Sequence, residues 1–138
     1  MNQLQQQVED FVCYLAFIFV KYRSESGNDT YVRTGAGLVL KTHIRQSWEN
    51  VKPPYRDYVK QEILTCIGDP EVAIRNTVGT VVSEIVIKIG VSSWPGLWEG
   101  LIQLLDNDDF NVVDGAFGCL YKMCRDLAFE LSKDANQK

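Results

Sequence analysis

A single histidine, His43, stands in 138 residues. That scarcity removes most metal and nucleophilic constellations, because a zinc site or a Cys–His pair needs partners at defined spacing. The four cysteines, Cys13, Cys66, Cys119 and Cys124, show no CxxC spacing and sit inside apolar patterns. Reduced core thiols in an intracellular protein are therefore expected rather than a disulfide framework. No long hydrophobic run is present either: the longest, Phe11 to Val20, is ten residues, about half of the roughly 20 that a membrane helix needs. No basic segment followed by an apolar stretch and a small-residue cleavage site opens the chain, so no signal peptide is expected. Positive charge is not in excess, with 14 Lys and Arg against 18 Asp and Glu. That balance argues against a protein that wraps nucleic acid by neutralising phosphates.

What is present is apolar surface, 46% of residues with 11% aromatic, enough for one compact domain with a real core. Charge is unevenly placed. Residues 21–60 carry eight basic residues against four acids, whereas residues 61–138 carry six against twelve. Solvated helix faces explain this, and so does an extended partner of opposite polarity.

The chain repeats itself. The segment from Asp29 to Arg33 recurs from Asp69 with Arg75 following, and again from Asp109 with Asp114 at the arginine position; the steps are 42 and 39 residues. Gly37, Gly79 and Gly118 each lie four residues further on. A period near 40 belongs to the HEAT and armadillo class of paired-helix repeats. Asp29, Asp69 and Asp109 each offer an N-cap, and Pro70 suits a first helical position. These signals place second-of-pair helices at about 30–47, 70–89 and 109–132, with partners at about 8–24, 54–67 and 95–105. The stripes Val32, Ala36, Val39, Leu40, Ile44 and Ile74, Val78, Val81, Val82, Ile85, Ile89 have helical spacing. Thr77 to Ile89 is rich in β-branched residues, which favour a strand locally. Its length, its Asp-Pro start and its slot in the repeat predict a helix instead. Breakers separate the elements at Ser24–Asn28, Pro53-Pro54 and Gly90–Pro95.

The expected fold is all-α: an α-solenoid of about three antiparallel pairs (8–47, 54–89, 95–132) stacked as a right-handed superhelix over one domain, 1–138, with a polar tail at 133–138. The chain opens almost at once into Val8, Phe11, Val12, Leu15, Phe17 and Ile18 and carries no obvious polar capping repeat, so a piece of a longer solenoid is expected. Other chemistry is weak. His43 reads as a helix-surface residue, Gly35-Ala36-Gly37 as small-residue packing between helices, and Asp106, Asp108 and Asp109 as a helix start. Trp48, Trp94 and Trp98 lie near helix ends and read as hairpin seals. No catalytic residue, cofactor or metal is expected.

Five ordered strings carry a resemblance. Asp10-Phe11 with Tyr14-Leu15 looks like a DFxxYL helix opening, and Gly37-Leu38-Val39-Leu40-Lys41 like a GLxLK segment. Ile74-Arg75 with Thr77-Val78-Gly79 looks like IRxTVG, and Trp94-Pro95 with Leu104-Leu105-Asp106 like WPxLxxxLxxLLD. Asp114 to Gly118 with Leu120 and Cys124 looks like a [DE]GAFGxLxxxC helix. Together, over residues 9 to 132, they resemble the N-terminal HEAT repeats of the transportin (karyopherin-β2) family within the importin-β superfamily. Val12-Cys13 and Thr42-His43 depart from it, standing where that family has Asn-Asn.

The resemblance implies a non-catalytic part of a nuclear import receptor that shuttles between cytoplasm and nucleus. It implies Ran in its GTP form as partner, bound by the inner, second-of-pair helices. Nuclear-localisation-signal cargo would be taken through parts absent from this chain, with no nucleic acid, no membrane and a monomeric state. Arg33, Lys41 and Arg45 share one i, i+4 row on the second helix of the first pair, and with Arg75, Asp114 and Lys122 on the following second helices they are the candidate partner-binding residues. A generic HEAT scaffold without Ran binding is the alternative. A HEAT-like nucleic-acid enzyme is the remote one, set against an acidic second half.

Overall fold

The computed structural model describes residues 3–27 and 29–136, with side-chain surroundings for 10–27 and 29–133. Val8 and Asn28 of the sequence reading lie outside the described side chains. Six α-helices follow in order: α1 (Gln3–Lys21), α2 (Thr30–Ser47), α3 (Pro53–Leu64), α4 (Val72–Ile89), α5 (Leu97–Leu104) and α6 (Phe110–Asn136). Short 3₁₀ turns at Trp48–Asn50 and Val91–Ser93 join the pairs. No strand occurs among the described residues.

The second helices form a continuous layer, with α2 against α4 and α4 against α6. The first helices flank it: α1 packs on α2 and α3, α3 on α4, and α5 on α6. The architecture is the expected all-α, HEAT-like solenoid. Its core runs through the junctions, where Phe19, Leu40, Ile44, Trp48, Ile63, Ile74, Ile85 and Met123 are fully buried. Each such side chain contributes about 1.5–3 kcal/mol by leaving water.

Helix α4 sits in the middle of the second layer, and eleven of its eighteen residues are buried. A helix covered on several sides can be apolar nearly all round. That placement explains why Thr77 to Ile89 is helical despite its β-branched composition, since tertiary packing outweighs a propensity difference of at most about 1 kcal/mol per residue. On α2 the stripe is narrower than its spacing suggests. Ala36, Leu40 and Ile44 are buried, while Val32 and Val39 stay exposed.

The three aspartates do three different things. Asp109 Oδ1 accepts the Asn111 N–H at 2.9 Å and caps α6 as expected. Asp69 Oδ1 accepts the Glu71 N–H at 2.9 Å, which makes an Asx turn with Pro70 at its centre. Helix α4 consequently begins at Val72, and Pro70 is outside it. Asp29 Oδ1 accepts both the N–H and the hydroxyl of Ser24, at 2.9 and 2.6 Å, so it closes the α1–α2 turn and does not cap α2. At the other end α6 continues to Asn136, so most of the expected polar tail is helix.

Close approach between helices depends on glycine at two places. A Cβ at Gly37 would lie 2.5 Å from Thr77 Cγ2 and 2.8 Å from Phe19 Cδ1. A Cβ at Gly115 would run into the backbone carbonyl of Ile67, which cannot move aside. Trp48 and Trp94 are buried and Trp98 packs on the core, so all three act as the seals expected of them.

Candidate functional site

The second-helix layer carries a groove of about 760 Å³ that crosses all three of its members. Lys41 and Arg45 from α2 form one wall; Thr80, Glu84, Ile87 and Lys88 from α4 form the floor; and Arg125, Asp126, Phe129, Glu130 and Lys133 from α6 form the other wall. Spacing of three and four residues brings each set to one helix face.

Its charges are ordered by internal pairing. Arg45 reaches across to α4, where Nε and Nη2 donate to the two Glu84 carboxylate oxygens at 2.6 and 3.4 Å. That hydrogen bond, with the Glu84 charge, raises the Arg45 pKa. Arg125 Nε donates to Asp126 Oδ1 at 2.9 Å, and the Ser83 hydroxyl donates to Asp126 Oδ2 at 2.8 Å. Partial burial pushes the Asp126 carboxyl up, but these hydrogen bonds and the Arg125 and Lys122 charges outweigh it and hold the carboxyl below its usual range. Lys133 Nζ lies 3.6 Å from Glu130 and 5.2 Å above the exposed Phe129 ring. Lys41 has no ion pair among the described residues. The lining holds five basic side chains against three acidic ones, in a chain whose net charge is -4. A groove with that local excess favours an acidic partner surface.

Of the six residues singled out from sequence, two line this groove: Lys41 and Arg45. Lys122 lies beside it, bonded back to α4, with Nζ donating to the Asn76 carbonyl at 2.5 Å and to the Thr80 hydroxyl at 3.3 Å. Burial is the main reason that its pKa is lowered. Arg33 and Arg75 require a correction, because they are 4% and 7% exposed and present no charge to the groove. Arg33 Nε donates to the Phe19 carbonyl at 2.7 Å, and Nη2 to Asp69 Oδ2 at 2.8 Å. Arg75 Nε donates to Asp114 Oδ2 at 3.0 Å, while Nη1 donates to the carbonyls of Asp69 and Pro70 at 2.8 and 3.1 Å. Asp114 is thus the partner of Arg75 and also lies outside the lining. These three residues tie successive helix pairs together.

Sequence reasoning passed over Glu84, Lys88, Phe129 and Lys133. Their signal was the spacing of Thr80, Glu84 and Lys88 on α4, and of Asp126, Phe129, Glu130 and Lys133 on α6, in register with the Lys41–Arg45 step on α2. His43 is away from the groove and meets the Phe11 ring edge-on at 4.7 Å. Among the described residues no group of three or more His, Cys, Asp or Glu side chains is arranged to hold a metal ion, and no helix is long and apolar enough to cross a membrane.

The sequence has known relatives. The family model described as the importin-beta N-terminal domain matches residues 1–69. Transportin-1 of Oryza sativa subsp. japonica is 39% identical over 135 residues, covering 96% of this chain and 15% of the relative. Transportin-1 of Homo sapiens is 39% identical over 134 residues, covering 97% and 14%. Importin subunit beta-2 of Schizosaccharomyces pombe is 32% identical over 140 residues, covering 99% and 15%. The chain therefore spans about 15% of the length of these relatives. With half of its residues matched by the family model and 39% identity to transportins along nearly its whole length, this chain belongs to the transportin/importin-beta family.

Proposed function

We propose that this chain is a non-catalytic binding module of a nuclear import receptor, and that it takes the GTP form of the small GTPase Ran on the groove across α2, α4 and α6. One observation carries the reading: the groove runs over the second helix of every pair, the layer to which the family resemblance assigns Ran-GTP. Lys41 and Arg45 are the residues we assign to partner contact, and Lys88, Arg125 and Lys133 join them. Arg33, Arg75 and Asp114 act at one remove, by fixing the angles between the helices that carry the groove. Cargo signals belong to regions outside this chain. Shuttling between cytoplasm and nucleus follows from the same reading.

The test is retention of Ran loaded with GTP against Ran loaded with GDP on the immobilised chain. Selective retention of the GTP form, reduced by raised salt because groove charges are screened, is the expected result. Equal retention of both forms, or none, removes Ran from the reading and leaves a helical scaffold.

A further inference from the structure

Most of the positive charge that lines the groove is already committed. Arg45 is paired with Glu84, Arg125 with Asp126 and Lys133 with Glu130 inside it, and Lys88 Nζ lies 3.8 Å from Glu49 outside the lining. Among the described residues, Lys41 is the one lining base without an ion pair. Exposed ion pairs contribute little to affinity, and charges at a rim act mainly on the rate of encounter. Charge therefore steers a partner to this groove and does not hold it there.

What remains to hold it is apolar. Phe129 is 61% exposed, and it belongs to the α6 row that faces α4, three residues after Asp126 and four before Lys133. Phe117, Tyr121 and Leu131 lie on other faces of α6 and line no part of the groove. In the floor, Ile87 of α4 is half-buried. Lys133 Nζ stands over the Phe129 ring, 5.2 Å from its centroid, which sets a cation beside the apolar surface. An exposed aromatic ring inside a concavity and rimmed by polar groups has the character of a binding anchor.

We infer that Phe129 anchors the occupant of this groove, and that the occupant is an acidic protein segment bearing one apolar side chain. The apolar side chain seats against Phe129 and Ile87, while flanking carboxylates meet Lys41 and Lys133. This rests on the groove being a partner site, as proposed above, and specifies the chemistry that a partner must bring to it. Apolar contact is not screened by salt, whereas the charges are. Affinity accordingly divides into a salt-sensitive part from the lysines and a salt-resistant part from Phe129.

Two fluorescein-labelled peptides, read by anisotropy on the full chain, test this division. One has aspartates and glutamates around a single central leucine, and the other has serine in the leucine's place. The leucine peptide is expected to bind about tenfold more tightly, as burial of one such side chain gives. Raised salt weakens both peptides and keeps their ratio, and Lys41→Glu does the same. Phe129→Ala brings the leucine peptide down to the level of the serine peptide, whereas Phe129→Leu keeps most of the preference; circular dichroism checks that both variants remain helical. Equal binding of the two peptides by the wild-type chain overturns the inference, and so does a leucine preference that survives Phe129→Ala. Ran takes no part in these measurements, so they decide the role of Phe129 even where GTP-loaded Ran is not retained and the proposed function fails.

Discussion

Arg33 and Asp69 are 36 positions apart in sequence and 2.8 Å apart in space, with side chains 5% and 8% exposed. The pair joins the first helix pair to the second, and its guanidinium also satisfies the last-turn carbonyl of Phe19. Removing one partner of a buried pair strands the other charge, which costs about 3–5 kcal/mol. Arg33→Ala is expected to lower unfolding free energy by about that amount, read as a shift of the urea midpoint with little change in slope. Arg33→Met combined with Asp69→Leu removes both charges and is expected to cost much less than the single change. Equal losses for the single and double variants would mean that the pair contributes through packing alone.

The two glycines of the Gly35-Ala36-Gly37 string are expected to respond with opposite sign. Gly37→Ala forces a methyl into Thr77 and Phe19, an overpacking that costs about 1–3 kcal/mol. At Gly35 nothing lies within 4 Å of a Cβ, and alanine in a helix interior gains about 0.5–1 kcal/mol over glycine. Thermal or urea unfolding of the two variants decides it. A stabilised Gly37→Ala would contradict the close α2–α4 approach.

This contrast marks what the sequence could and could not disclose. Pairing, order and approximate helix bounds followed from a 40-residue rhythm, because every repeat must bury the same faces in the same way. Gly35 and Gly37 look alike in the sequence, yet one faces the neighbouring helix and the other open space. Arg33 was placed with Lys41 and Arg45 by helical spacing, which is blind to what stands opposite each turn. The first turn of α2 faces Asp69 and the α1 backbone, so Arg33 is enclosed, whereas Arg45 lies at the far end of the helix over the groove. Asp29, Asp69 and Asp109 were equivalent as caps in sequence, and the local partners Ser24, Glu71 and Asn111 separated them.

Thiol titration gives a prediction with a definite pH window. Burial pushes the Cys119 thiol from 9.0 up to about 12. Between those values the unfolded chain has released the proton while the folded chain holds it, so stability falls as pH rises. The contribution is fully present below pH 9 and declines by about 1.4 kcal/mol per pH unit above it. Cys66 and Tyr58 are also raised by burial and act in the same direction, whereas Lys122, lowered by burial, acts in the opposite one. Cys119→Ala is therefore expected to flatten the alkaline limb of a stability profile, even though the cavity lowers the whole curve. An unchanged slope would mean that Cys119 is not desolvated. Thiol reagents check the same burial: Cys124, which is exposed, is expected to react first, and Cys119 and Cys66 only on unfolding.

Lys41 separates binding from stability. It lines the groove without an ion pair among the described residues, so Lys41→Glu is expected to change unfolding free energy by no more than about 0.5 kcal/mol. Reversing a charge that steers an acidic partner lowers the association rate and steepens with falling salt. Retention of GTP-loaded Ran is thus expected to drop severalfold at low ionic strength and to converge on wild type as salt rises. Lys133→Glu, on the opposite wall, is expected to behave alike, and Arg33→Ala differently: its effect on retention comes through altered helix packing and does not fade as salt rises. If both groove reversals leave retention unchanged while the wild-type chain selects the GTP form, the partner binds elsewhere on the solenoid and the groove assignment fails.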